Sequence, residues 1–352
     1  MFVNGLGTAN PPQRYGKGEC WAAFKASDWF VKLDSRARTI AEVVLTRDNG
    51  IQTRALAVSE LGEVFDISPD TLHARFLDHA PALASLAGEA ALRDAGLVAT
   101  DIDGLVVSTC TGYLCPGLTS YVIGRLGLRA DILAFDLVGQ GCAAALPNWR
   151  MAAALLMGDE CEHVLSICVE VSSAAMYLDN DPGVLISACL FGDGAGAAVL
   201  SRAPQAERRR VEWKSFTSFT NPRQRAALQF QTCNGLLRNV LTRAVPRLAA
   251  EHALQVLNSA LETAALTAAD ISVWIMHAGG RDVLNALQRE LKITPADLRY
   301  SADALRDYGN MSSAFVYFVL HAALADDAAS GWWWMSSFGA GFSCHGALLE
   351  VA

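Results

Sequence analysis

Short runs of β-branched and other apolar residues alternate along this chain with longer Ala/Leu-rich stretches whose apolar positions recur at helical spacing. That alternation predicts an α/β protein with buried sheets. Residues 81–97, PALASLAGEAALRDAGL, carry the helical pattern and lead through VATDID into LVVSTC, a strand ending at a glycine-containing turn. Residues 252–266, HALQVLNSALETAAL, do the same and lead through TAADIS into VWIMHAGG. At a constant offset of 169 residues, Leu92, Ala95, Leu97, Asp101 and Ile102 fall on Leu261, Ala264, Leu266, Asp270 and Ile271. The same offset sets Cys142 on Met311, Ala145 on Ala314, and Ala153-Ala154-Leu155 on Ala322-Ala323-Leu324. Each stretch then closes on a Gly-Ala-Gly turn followed by an apolar strand, GAGAAVL at 194–200 and GAGFSCHGALLEV at 339–351. We read an internal duplication, with halves at 1–205 and 206–352 packed about a pseudo-dyad. The turns holding Cys142 and Asn310 would then face one shared cavity.

Composition narrows the function classes. With 352 residues and 52% hydrophobic content the chain can fill a large core. Its formal net charge of −8 argues against whole-protein attraction to nucleic acid. The start, MFVNGLGTANPPQRYG, lacks the apolar core of a signal peptide, and Pro147, Asn148 and Arg150 break the apolar run after Cys142. The expectation is a cytoplasmic protein without a membrane span. Nine cysteines, an odd number mostly in apolar context, read as reduced thiols, and the lack of any CxxC argues against a zinc site. Segment 203–235 joins the halves and carries Arg208, Arg209, Arg210, Lys214, Arg223 and Arg225. It is either a solvated strand edge or a site for a phosphorylated ligand.

Three residues carry candidate chemistry. Cys142 lies in VGQGCAAAL, where glycines permit a sharp turn and a helix is about to begin. It is either a buried inert thiol or a nucleophile whose thiolate a helix N-terminus favours. Pro147 requires that the regular helix start a residue or two after Cys142, or that it kink. His277 closes the apolar strand VWIM ahead of Ala278-Gly279-Gly280, at a strand end where active sites collect. Asn310, in RDYGNMSSAF, mirrors the Cys142 turn and could equally be a helix cap shared with Ser312 or Ser313. A Cys-His-Asn set without a carboxylate suits acyl transfer to a thiol, followed by hydrogen-bond stabilisation of an enolate. A protease could use the same residue types, but duplicated halves with small-residue helices do not point to one.

The motifs DLVGQGCAAALPNWRMA (136–152), LFGDGAGAAVL (190–200), IMHAGGRDVL (275–284), YGNMSSA (308–314) and SFGAGF (337–342) follow in order, with STCTGYLCPGL (108–118) and GLGTANPP (5–12). On these the whole chain resembles the type III polyketide synthases of the chalcone synthase-like superfamily, within the thiolase fold. The resemblance implies a duplicated α-β-α-β-α layered fold and a homodimer. It also implies acyl-CoA and malonyl-CoA as substrates, with no metal or organic cofactor. By position, Cys142 resembles the acyl-carrying nucleophile, and His277 with Asn310 the pair that promotes malonyl decarboxylation. Phe191 resembles the gatekeeper aromatic. Cys110, Thr111 and Ala175 fall on the cavity wall, and Cys115 where a residue reaches the partner's cavity. Departures are Ala278 where proline is common, Asn239 at the second aromatic gate, and SFGAGF, whose Gly339 and Gly341 leave the cyclisation scaffold looser. Arg47 and Arg54 are the N-terminal candidates for binding CoA. Small residues at Ala175 and Cys110 lean toward a fatty acyl starter and an alkylpyrone or alkylresorcinol product, among pyrone, resorcinol and phloroglucinol outcomes. Trp332-Trp333-Trp334 reads as strand packing at the cavity floor. The alternatives are a single-condensation ketoacyl synthase III-like or hydroxymethylglutaryl-CoA synthase-like enzyme, and a non-catalytic dimeric scaffold.

Overall fold

The structure is a computed structural model that describes residues 1–206 and 208–352. In the first half of the chain, strand β1 (Phe2–Ala9) precedes helices α1 (Ser35–Thr46) and α2 (Pro69–Ala95). Then come β2 (Gly104–Ser108), β3 (Leu133–Leu137), α3 (Ala145–Leu156), β4 (His163–Glu170), α4 (Pro182–Leu190) and β5 (Gly194–Ser201). The second half begins with β6 (Val211–Thr220), the hairpin β7 (Leu228–Cys233) and β8 (Leu236–Leu241), and helix α5 (Val245–Ala264). It continues with β9 (Ile271–Met276), α6 (Arg281–Leu291), α7 (Arg299–Tyr308), α8 (Phe315–Ala325), β10 (Gly331–Gly339) and β11 (Ser343–Val351).

Among the described residues nine strands form one sheet in the order β9-β10-β11-β6-β1-β5-β4-β2-β3, which reads alike outward from its centre. β1 pairs antiparallel with β5 as β6 does with β11. β5 pairs antiparallel with β4 as β11 does with β10, and β4 lies parallel to β2 as β10 does to β9. Phe2 opposite Glu212 joins the two sets. Helix α2 packs on β1, β5 and β4, and α5 on β11, β6 and β10, while α3 and α8 each touch strands of both sets. The result is the five-layered, thiolase-like α/β architecture.

Local chemistry explains the layers. α2 starts where Ser68 accepts a hydrogen bond from the Thr71 backbone N–H and stops at left-handed Gly96. It approaches β1 closely because Gly5 and Gly7 have no side chain; a Cβ on Gly5 would lie 2.3 Å from the Ala91 carbonyl. α8, FVYFVLHAALA, is apolar nearly all round, as a helix buried on both sides must be. Across the middle layer the Trp149 indole N–H donates to the Tyr317 hydroxyl at 3.0 Å.

The duplication holds with three adjustments. β3 has no mate among the described residues, because the offset that relates Asp101 to Asp270 places it within α7. The offset itself slips by one or two residues near the active turns: Gly141–Ala143 corresponds to Ser312–Ala314, and Ala145 opens α3 where Phe315 opens α8. Gly194-Ala195-Gly196 is not a turn but already lies within β5, where a Cβ on Gly196 would meet Tyr317 Cβ at 2.4 Å and its ring at 2.6 Å. Only the later Gly-Ala-Gly makes the hairpin turn, between β10 and β11. Trp333 and Trp334 are fully buried in β10, but Trp334 packs over Gly346 within the sheet and none of the three tryptophans lines the cavities described below. The basic segment is largely ion-paired: Arg208 with Asp94 at 2.6 Å, Arg209 with Asp327 at 3.2 Å, Lys214 with Glu350 at 3.0 Å. That fits the solvated strand edge. Among the described residues no helix is long and apolar enough to cross a membrane.

Candidate active site

Cys142 occupies a short 3₁₀ turn, Gly141–Ala143, just ahead of α3. Gly139 and Gly141 take left-handed φ values of 85° and 55°, which bring the chain into the turn at no steric cost. α3 begins at Ala145, so Pro147 falls in its first turn, where a backbone N–H would have no helical partner. The β10–β11 hairpin presses on this turn. A Cβ on Gly339 would lie 2.5 Å from the Ala143 nitrogen, so only glycine permits that approach. The Ser312 hydroxyl donates to Cys142 Sγ at 3.2 Å across the pseudo-dyad. The expected helix-favoured thiolate is not the resting state. Burial pushes the thiol up to about 12, and the Ser312 hydrogen bond opposes this only in part.

His277 directly follows β9, and its backbone N–H donates to the Ser336 carbonyl at 2.9 Å. Its ring stands edge-on to Phe315 and Phe338, with centroids 5.4 and 5.0 Å away. The residue is 1% exposed and neither ring nitrogen has a hydrogen-bond partner. Burial pushes its pKa down to about 3, so the imidazole is neutral near pH 7. Asn310 follows α7 after Gly309, whose φ is 72°. Its side-chain amide donates to the Gly279 carbonyl at 3.0 Å and its oxygen accepts from the Ser312 N–H at 2.8 Å. Ser312 adopts a left-handed φ of 50°, strained for a serine, and this aims its hydroxyl at Cys142. Backbone bonds from Asn310 N to Leu190 O and from Gly192 N to Asn310 O, each 3.0 Å, tie this turn to Phe191.

Two cavities meet at Cys142. A tunnel of about 500 Å³ has Cys142, His277, Asn310 and Phe338 at its inner end. A smaller chamber of about 50 Å³ lies beyond, walled by Cys110, Thr111, Ala175, Met176, Phe230 and Asn239. Phe191 and Leu228 stand on both, so they form the neck. Phe191, Cys110, Thr111, Ala175 and Asn239 all line this chamber. Of the SFGAGF loop it is Ala340 that reaches the wall, with Gly339 and Gly341 behind it. Cys115 is exposed and lines neither cavity. Met176 and Phe230 share that wall, and past Cys110, Thr111 and Phe230 a further cavity of about 640 Å³ runs on toward Phe76. Arg54 does not fit the CoA role. It is buried, with its guanidinium donating to the carbonyls of Ala188 and Phe191, both at 2.8 Å. Arg47 is exposed at the end of α1, outside the tunnel lining.

Sequence reasoning missed Ser312's contact with the thiol, Leu228 and Glu170. Glu170 ends β4 fully buried, accepting from Thr111 Oγ1 and Cys110 N at 3.0 Å and from the Ser313 hydroxyl. Burial raises its pKa, with these hydrogen bonds opposing. A lone acidic residue closing the apolar strand HVLSICVE was the signal. All nine cysteines are unpaired, and among the described residues no group of three or more His, Cys, Asp or Glu could hold a metal ion.

A duplicated, five-layered α/β fold with a cysteine turn and a His/Asn end around one tunnel defines the thiolase-like condensing enzymes. Residues 55–223 match the family described as FAE1/type III polyketide synthase-like protein, and residues 218–351 the C-terminal domain of chalcone and stilbene synthases. The 1,3,6,8-tetrahydroxynaphthalene synthase of Streptomyces peucetius subsp. caesius is 30% identical over 99% of this chain and 92% of its own length. The 3,5-dihydroxyphenylacetyl-CoA synthase of Streptomyces toyocaensis is 28% identical over 92% of this chain and 83% of its own. Among solved structures, PKS-I from the brown alga Ectocarpus siliculosus superimposes with a TM-score of 0.90 at 25% identity, covering 99% of this chain and 98% of that one. The chain belongs to the type III polyketide synthase family. It is an acyltransferring enzyme of decarboxylative Claisen condensation.

Proposed function

We propose that Cys142 accepts the starter acyl group as a thioester and that His277 and Asn310 promote malonyl decarboxylation and hold the resulting enolate. The observation that carries this reading is a neutral, fully buried imidazole with both nitrogens unpartnered, lining the same tunnel end as the thiol and the Asn310 amide. An unpaired buried donor is costly, and a thioester oxygen arriving in the tunnel supplies the missing partner. The Asn310 amide has a second N–H beyond the one bound to Gly279. In loading, the thiol sulfur forms its bond to the acyl carbon as the carbon–sulfur bond to the carrier thiol breaks. The proton from Cys142 passes to the leaving thiolate. In extension, loss of CO₂ leaves an enolate whose oxygen takes hydrogen bonds from His277 and Asn310. Its carbon then bonds to the carbonyl carbon of the Cys142 thioester as the carbon–sulfur bond to Cys142 breaks, which leaves the Cys142 thiolate free to take up the extended chain.

The relatives' names, a tetrahydroxynaphthalene synthase and a dihydroxyphenylacetyl-CoA synthase, describe rings with meta-related hydroxyls. These names support a resorcinol-type carbocycle among the pyrone, resorcinol and phloroglucinol outcomes. The halves 1–205 and 206–352 act as the nucleophile and enolate sides. A homodimer is supported by β3, which ends the sheet, and by the exposed apolar residues around it: Leu133, Phe135, Val138 and Tyr113. Incubation with malonyl-CoA and a panel of starter CoAs, read by mass and isotope labelling, tests the assignment. Several extensions ending in an aromatic ring agree with it. A single extension released as a β-ketoacyl product contradicts it.

A further inference from the structure

The tunnel to Cys142 opens between α1, α4 and the start of α6, and most of its outer wall is apolar, with Ile40, Val44, Pro182 and Ile186. Two cations stand on that wall. Arg281 is already committed: its Nη1 lies 3.1 Å from Asp48 Oδ2, and Asp282 follows it on the lining. Arg243 is exposed, with no carboxylate partner among the described residues. Arg54 is buried and occupied, and Arg47 is off the wall. Arg243 is therefore the one lining arginine without a carboxylate partner among the described residues. A CoA thioester carries a diphosphate and a 3′-phosphate, together about four negative charges, whereas a phosphopantetheine arm on a carrier carries a single phosphate.

Resting on the reading of Cys142 as acyl acceptor, we propose that this tunnel recognises the phosphopantetheine arm alone. Arg243 takes the phosphate next to the pantetheine, and the nucleotide beyond it goes unread. Arg suits the task because its planar fork binds phosphate through paired N–H donors and stays charged at any working pH. Arg281, held by Asp48, gives the rim a second positive edge without adding net charge. The same arm can arrive on CoA or on a phosphopantetheinylated carrier protein, and the chemistry recognised at the rim is common to both.

The test compares KM for malonyl-CoA, malonyl-phosphopantetheine and phosphate-free malonyl-pantetheine on the full-length enzyme, with Arg243→Ala and Arg47→Ala beside the wild type. CoA and phosphopantetheine thioesters should agree within about threefold, and loss of the phosphate should raise KM about tenfold or more, a gap of about 1.4 kcal/mol. Arg243→Ala should erase that gap and Arg47→Ala should leave it. A malonyl carrier protein turned over better than both small thioesters supports the proposal and makes the carrier the source. Equal use of CoA and free phosphopantetheine, with a poorer carrier, supports it with CoA as the source. Preference for CoA over phosphopantetheine above about tenfold overturns it, as does a gap that Arg47→Ala erases and Arg243→Ala does not. Wild-type turnover indifferent to the phosphate sinks this inference alone. No turnover with any thioester sinks the condensation reading instead.

Discussion

The two turns that open the central helices have the same architecture and opposite chemistry. Gly141–Ala143 leads into α3 and presents a thiol; Ser312–Ala314 leads into α8 and presents hydroxyls, with Asn310 just ahead. On the first side the reactive group is buried and has one side-chain hydrogen-bond partner among the described residues, a serine contributed by the other side. On the second side the amide of Asn310 is held at both ends by its own half, while His277 beside it is left unpartnered. The contrast teaches how a duplicated scaffold divides labour. One copy keeps a sulfur in a dry, tight turn, and the other keeps rigid donors aimed at the same space.

The sharpest way to break this contrast is to remove the sulfur. Cys142→Ala should abolish the covalent acyl-enzyme and cut overall condensation by about 10⁴-fold or more, measured by intact mass and product formation. On the other side, His277→Ala and Asn310→Ala should each slow malonyl decarboxylation by about 10²–10³-fold, read as CO₂ release. If either variant decarboxylates at the wild-type rate, the donor role assigned to that residue fails.

The burial that distinguishes His277 also predicts acid sensitivity. Burial pushes His277 down to about 3 and His345 to about 4. As pH falls below about 6.5, the unfolded chain takes up these protons and the folded one does not. Stability should therefore drop by about 1.4 kcal/mol per pH unit for each histidine between pH 6.5 and 4. His277→Phe should remove one share of that slope in urea unfolding and leave the His345 share. At the alkaline end the sign reverses in proton terms but not in outcome. Cys142, Cys168, Cys189 and Cys344, each pushed up by burial to about 12, stay protonated when folded and ionise when unfolded. Stability should fall as pH rises above about 9.

Smaller changes sharpen the picture on the thiol side. Gly339→Ala should cost about 1–3 kcal/mol, because its Cβ would lie 2.5 Å from the Ala143 nitrogen and displace the Cys142 turn. An unchanged unfolding midpoint would show that the hairpin yields easily. Ser312→Ala should slow Cys142 acylation by about tenfold or less, the worth of one hydrogen bond of about 1 kcal/mol. A loss as large as that of Cys142→Ala would give Ser312 a far larger part than a hydrogen bond to the sulfur.

Much of this was legible in the chain because period and spacing survive duplication. The helix–strand pairs at 81–108 and 252–277, the glycine turn before Cys142 and the strand end before His277 all lie where their patterns put them. What escaped depends on contacts across the halves. The ionisation of Cys142 follows from how completely α8 and the β10–β11 hairpin cover it, which no local window around GQGCAAAL contains. Arg54 looked like a free cation because its burial comes from α4, more than a hundred residues away. Phe230 and Met176 reach the chamber wall from β7 and the loop before α4, so the space beside Ala175 and Cys110 is shaped by residues that no local window contains. Gly194-Ala195-Gly196 read as a turn, but its glycines serve close packing within β5, Gly194 against Asn10 and Met311 and Gly196 against Tyr317.

The division of labour between the two turns is tested most directly by separating loading from decarboxylation in one experiment. Asn310→Ala and Cys142→Ala would each be incubated with a starter CoA and ¹⁴C-malonyl-CoA, following adduct mass on Cys142 and release of labelled CO₂. The account predicts that Asn310→Ala gains the acyl adduct but releases little CO₂, while Cys142→Ala shows no adduct yet still decarboxylates malonyl-CoA. Joint loss of both activities in each variant would contradict it.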